Sequence, residues 1–249
     1  MTLRLIYSLI ISALVMACAT PERPKFDFPA GAHVGIINHL EDHATHHHFS
    51  SLRFDSFSKR IEVDWDIPGY IETKLSDALQ AGQRYTVRRI KPVNRPGWMN
   101  QEPASSDRTA ESRAMKDKLA KYLGTLGDKL QLDVMILIRS YSGPSVVKID
   151  NQPIELKGYG LFTRQLLVSK KAYAYANIAV EVFKTGPMTF IGSGLPQNRK
   201  SSLDNMDLEG SMKTMRGTEI QKLEPLIKGY ADQAVQNALV NANLLPPGK

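Results

Sequence analysis

The chain has 249 residues, 42% of them apolar and 23% charged, with a formal net charge of +7. That is globular composition, enough for one large domain or two small ones. The single cysteine rules out a disulfide within the chain. The basic residues are scattered (Arg88, Arg89, Lys170, Lys171, Arg199, Lys200), so they read as a solvated surface rather than a nucleic-acid footprint.

The first segment is an export signal. Arg4 precedes an apolar run from Leu5 to Ala17, which is too short to span a bilayer as a helix. The run ends on Val15, Met16, Ala17 and Cys18, which resembles the bacterial lipobox. The small residue admits the peptidase, and the thiol is the nucleophile that takes the diacylglycerol. The expectation is cleavage of residues 1–17 and lipid attachment at Cys18, with acyl chains serving as the membrane anchor. By resemblance to Gram-negative lipoproteins, Ala19 in place of an aspartate implies the outer membrane, with the body facing the periplasm. Nucleic acid is not a partner expected in that compartment. A charge of this sign suits anionic headgroups, acidic glycans or an acidic protein partner.

Residues 18–31 read as a lipidated tether stiffened by Pro21, Pro24 and Pro29. A single domain is expected over residues 32–245. It begins with a buried strand over residues 33–38. Residues 45–64 look extended, because Leu52, Phe54 and Phe57 keep no common helical face. A helix follows, started by Asp66 and Pro68, with Ile71, Leu75, Ala78 and Leu79 at helical spacing and Gly82 at its end. Tyr85, Val87 and Ile90 alternate as a strand. Residues 91–108 are loop-like. A second helix is predicted from about Thr109 to Leu123, then a strand buried on both faces over Leu132–Ile138.

The chain then turns antiparallel in character. Residues 146–156 suggest a hairpin around Asp150 and Asn151. Tyr159–Val168 and Ala172–Phe183 form two longer strands, and Met188–Ile191 a short one. Residues 192–217 read as a long loop. A last helix from about Pro225 buries Ile227, Tyr230, Ala231, Ala234, Val235 and Ala238, its small residues suited to close packing on a sheet. The order predicts an α/β (α+β) fold: a mixed sheet with helices packed against it, an antiparallel meander in the second half and a C-terminal helix.

This order resembles the periplasmic α/β domain of curli-secretion-type lipoproteins (CsgG), the penicillin-binding-protein activator LpoB and the TolB amino-terminal domain. The resemblance rests on Val34, Ile36 and Ile37; on Ile71, Leu75 and Leu79 before Tyr85 and Val87; on Leu130, Asp133, Ile136 and Ile138; and on Ile191-Gly192-Ser193-Gly194. It spans roughly residues 32–243. The chain departs from the pattern in its extended segment 45–64 and in Lys184-Thr185-Gly186, which lacks the usual aspartate. The resemblance implies an envelope lipoprotein that works through protein contacts, or an oligomeric secretion-channel subunit.

Chemistry-bearing residues are few. All six histidines (His33, His39, His43, His46, His47, His48) lie between residues 33 and 48. With 45–49 as a strand, His46 and His48 share a face. His39 and His43 close on them in one reading, with Glu41 or Asp42, as a zinc or copper site. In the other reading these are unrelated histidines of a polar loop and strand. Glu62, Asp64 and Asp66 alternate, but Asp66 serves better as a helix cap than in acid–base work. Ser193 lacks the G-x-S-x-G elbow. No catalytic set and no cofactor other than the lipid is expected. Tyr159, Phe162, Tyr173 and Tyr175 lie on the long strand pair, either as sheet core with an aromatic outer face, as an interaction face, or on a pair of strands that enters a membrane as one hairpin of an oligomeric barrel, an idea weakened by Arg164, Lys170, Lys171 and Glu181. Ala172, Ala174, Ala176 and Ile178 line the opposite side. The functional expectation is a non-enzymatic envelope adaptor or assembly factor. The alternatives are a homo-oligomeric channel subunit and a metal-binding protein.

Overall fold

The computed structural model describes residues 26–50, 56–81, 83–91, 96–100, 110–141, 147–149, 152–154, 156–166, 169–196, 200–203 and 220–245. The signal sequence and Cys18 lie outside them. The chain is α/β, a mixed sheet with helices packed on it and a helix at its C-terminal end.

The strands are β1 (Ala32–Asn38), β2 (Ala44–Ser50), β3 (Phe57–Ile61), β4 (Tyr85–Ile90), β5 (Val134–Ser140), β6 (Val147–Ile149), β7 (Gln152–Ile154), β8 (Gly158–Leu166), β9 (Ser169–Lys184), β10 (Thr189–Gly194) and β11 (Lys200–Ser202). The helices are α1 (Ile67–Gln80), α2 (Ala110–Leu130) and α3 (Leu223–Asn241). Nine strands form the main sheet, and β6 pairs with β7 as a separate hairpin.

The 16-residue β9 organises the sheet. Residues 178–184 of β9 pair with β5, and residues 169–177 with β8. Along the same strand, residues 180–184 also pair with β10, and residues 173–175 with β11. Both edges of β9 are therefore used twice. The result is two five-stranded halves sharing one strand: β4-β1-β5-β9-β10 and β3-β2-β8-β9-β11. β1 runs parallel to β4 and β5, and β2 parallel to β8. The remaining pairs of the sheet are antiparallel.

In the first half β1 and β5 are buried on both faces, as their apolar runs dictate. Val34, Ile36, Val134, Ile136, Ile138, Val180 and Val182 point to one side, toward α1 and α3. Ile37, Met135, Leu137 and Phe183 point to the other, toward Leu123 of α2. α1 presents Ile67, Ile71, Leu75 and Leu79, each at most 1% exposed and four residues apart. Asp66 caps this helix by accepting the Gly69 N–H at 3.0 Å. Tyr70 of α1 donates to the Asp232 carboxylate of α3 at 2.9 Å, tying the two helices together.

Three features differ from the sequence expectations. α2 runs on to Leu130 rather than ending near Leu123, passing through Gly124 and Gly127. A Cβ on Gly127 would stand 2.7 Å from the Thr185 methyl, so glycine lets the β9–β10 turn sit against the helix. The expected loop 192–217 contains the end of β10 and all of β11; residues 204–219 lie outside the described residues. The last part of the expected tether is packed. Phe28 is buried in the core, Phe26 leans on it, and Asp27 pairs with Arg84 at 2.6 Å. Two aromatic side chains carry enough apolar area to dock that segment despite its prolines.

The I-G-S-G segment also gains a physical meaning. β10 lies directly under α3, and a Cβ on Gly192 would approach the Ala242 nitrogen at 2.8 Å. Gly194 faces the Ala234 carbonyl even more closely. Small residues on both sides bring the helix and strand backbones together.

Candidate functional site

The second half of the sheet buries His46 and His48 of β2. In β2 the burial alternates strictly, with Ala44, His46, His48 and Ser50 on the inner side and Thr45, His47 and Phe49 opposite. Opposite His46 and His48, β8 contributes Thr163, which is 0% exposed. Its Oγ1 lies 2.8 Å from His46 Nε2 and 2.8 Å from His48 Nδ1. The Phe57 ring of β3 covers both imidazoles, edge-on to His46 and stacked on His48, each at 5.1 Å between centroids.

One hydroxyl carries one proton, so Thr163 donates to one imidazole and accepts from the other. The ring that accepts from the hydroxyl is unprotonated at that nitrogen, and the other ring presents an N–H to the oxygen. Burial, reinforced by Lys59, His48 and His47, lowers the His46 pKa to about 3. Burial also lowers that of His47. A histidine beside a hydroxyl is the pairing used in nucleophilic catalysis. Here the hydroxyl is fully enclosed and its two neighbours hold it from both sides, so the group acts as a polar plug of the core.

The four histidines read as a metal set do not converge. His39 is buried on the α2 side, its ring 6.3 Å from Tyr122. His43 sits in the turn before β2, with Nε2 3.3 Å from Glu41 and Nδ1 3.4 Å from Asp42. His46 and His48 lie on the inner face and point their nitrogens at Thr163. Among the described residues no group of three or more histidine, cysteine, aspartate or glutamate side chains could hold a metal. His33 is exposed, and its backbone N–H donates to Asp133 at 2.8 Å. The aspartate of the L-x-x-D element thus pins the start of β1 beside β5. His47 packs against Tyr175 at 5.8 Å on the outer face.

The aromatic set divides as well. Tyr159 is on the inner face with Leu161 and Ala174, 1% exposed. Phe162 and Tyr175 are on the outer face with Leu156, at 1% and 0% exposure. Tyr173 packs beside them, half-buried, with Lys200 over its ring. Ala172, Ala174, Ala176 and Ile178 line the inner side. The Tyr175 hydroxyl lies within hydrogen-bond reach of the Thr45 and Lys157 carbonyls, and burial pushes its pKa well up. Three of the four rings are therefore core, and only Tyr173 reaches solvent.

A bidentate pair, Arg139 with Glu181 at 2.8 and 2.9 Å, sits between neighbouring strands β5 and β9. It is mostly buried and was not marked by any sequence pattern. Thr163 was missed for a related reason. Its partners lie 115 and 117 residues away along the chain. No protein-family model matches the chain, and no curated protein matches it.

Proposed function

We propose that the chain is an outer-membrane lipoprotein, anchored by lipid on Cys18, that acts without catalysis as an adaptor or assembly factor for other envelope proteins. The observation that carries this is the run Val15-Met16-Ala17-Cys18 at the end of a short apolar segment, with that cysteine the only one in the chain. A signal of this form places a globular body next to a membrane without a transmembrane helix. Two features support the reading. Phe26 and Phe28 dock onto the domain, so the tether between lipid and body is short. The strongest polar constellation, His46–Thr163–His48, is enclosed, which makes it a stabilising element. The resemblance to CsgG, LpoB and TolB-type domains points the same way.

The test is chemical crosslinking in intact cells, followed by detergent extraction and native mass measurement of the protein. An adaptor gives discrete complexes with other envelope proteins. A large ring of this chain alone would replace the adaptor with the channel reading, and a monomer with no crosslinked partner would sink both.

A further inference from the structure

Outside the polar plug, α2 carries an apolar stripe edged with lysines. Lys118, Lys121, Tyr122, Leu126 and Lys129 fall on one side of the helix, and Trp98 from the short 3₁₀ turn Gly97–Asn100 stands beside them. Together they line an open groove of about 550 Å³. Its floor is apolar. The Trp98 ring meets Tyr122 edge-on at 6.3 Å, and Tyr122 in turn meets the buried His39. The rim is cationic: all three lysines are exposed, and none is paired with a carboxylate of the described residues. Asp117 and Asp128 of the same helix do not line the groove.

The geometry of the stripe selects its occupant. From Lys118 to Lys129 the helix rises roughly 16 Å, or three turns. The groove is open along its length, so an isolated acyl chain would remain half in water. A helical segment turns its own polar back to solvent and avoids that exposure. Apolar side chains at helical spacing fill the floor, and carboxylates beside them meet the lysines.

We propose that this groove docks an acidic amphipathic helix of a protein partner, with Trp98, Tyr122 and Leu126 receiving its apolar face and Lys118, Lys121 and Lys129 its carboxylates. This rests on the adaptor reading and names the surface and the chemistry of the partner. Trp98 reports on occupancy, because it is half-exposed while Trp65, the other tryptophan, is buried.

The probe is a synthetic helical peptide with leucines on one face and glutamates on the other. It is titrated into the full mature protein in detergent and followed by labelled-peptide anisotropy and by tryptophan emission. Binding is expected, weakening with added salt. It is expected to fall about tenfold or more in the triple variant Lys118→Glu, Lys121→Glu, Lys129→Glu, with the melting temperature unchanged. A Trp98→Phe variant should retain the fold and lose the emission shift. A peptide that fails to bind, or binds the triple variant equally well, overturns the proposal. So does a preference for phosphatidylglycerol vesicles that the triple variant abolishes while the peptide stays unbound, since that marks a lipid surface. Lipidation of Cys18 and recovery of crosslinked partners are scored separately. If they persist when the peptide fails, only the groove is wrong; if they are absent, the adaptor reading has failed.

Discussion

The two halves of the sheet share β9 and yet are built from different chemistry. In one half the central strands β1 and β5 are aliphatic and covered by helices on both faces. Val34, Ile36, Val134, Ile136 and Val182 are each at most 1% exposed. The half containing β2 and β8 buries histidine, threonine and tyrosine and has α3 on only one side. Apart from the Arg139–Glu181 pair, the first half is held by close packing, whose strength follows apolar volume and does not depend on pH. The second is held by directed hydrogen bonds, whose strength depends on every partner being present and in the correct protonation state. One strand can serve both because its side chains alternate. Ile178, Val180 and Val182 continue the inner row begun by Ala172, Ala174 and Ala176, and the smaller alanines leave room for the imidazoles and Leu161 opposite.

The comparison breaks if the two halves respond alike to substitution. The largest effect is expected in the aliphatic half. Ile136→Ala, at 0% exposure, should cost about 4 kcal/mol in denaturant unfolding, through lost transfer energy and the cavity left behind. In the polar half, Thr163→Val keeps the shape and removes the shared hydroxyl. Two buried imidazole nitrogens then lose their partner, for a cost of about 2–3 kcal/mol. Thr163→Ser should recover most of that loss. A valine variant as stable as the parent, with serine the more costly change, would mean that the hydrogen bonds contribute nothing and only packing matters.

Acidity sharpens the distinction next. The His46 pKa is about 3 in the folded protein and about 6.5 when unfolded, so the unfolded chain binds the extra proton first. Stability from this group is complete above pH 6.5 and is lost as the pH falls from there toward 3. The slope from this one group is about 1.4 kcal/mol per pH unit. His46→Gln should lack that component, so parent and variant lines of stability against pH should converge below pH 6. Parallel lines would show that His46 is not held neutral.

The smallest effect belongs to a helix end in the aliphatic half. Asp66 has φ of +40° and caps α1. Asp66→Ala should cost about 1–2 kcal/mol by thermal melting, whereas Asp66→Asn, which keeps the acceptor and tolerates the left-handed region, should change little.

Much of this architecture was legible in the sequence because it is local. The α1 periodicity, the Asp66 cap, the two-face burial of Val134–Ile138 and the alanine-in, tyrosine-out alternation of Tyr173 and Tyr175 all follow from side-chain spacing. What escaped depends on distant partners. Position 127 has no room for a side chain because of Thr185, and Phe28 is buried because of the core it meets. His39 and His46 part because β1 and β2 are separated by a turn that sends them to opposite faces. The Trp98 groove needs a loop residue and α2 to meet, and nothing in the sequence around Trp98 announces that contact.

The most direct test of the account is the intact mass of the protein purified from its own membranes. The prediction is residues 18–249 carrying thioether-linked diacylglyceryl on Cys18, with the Cys18→Ser variant neither processed nor lipidated. A mature chain with an unmodified Cys18, or one cleaved elsewhere, would contradict the anchor and with it the proposed role at the membrane.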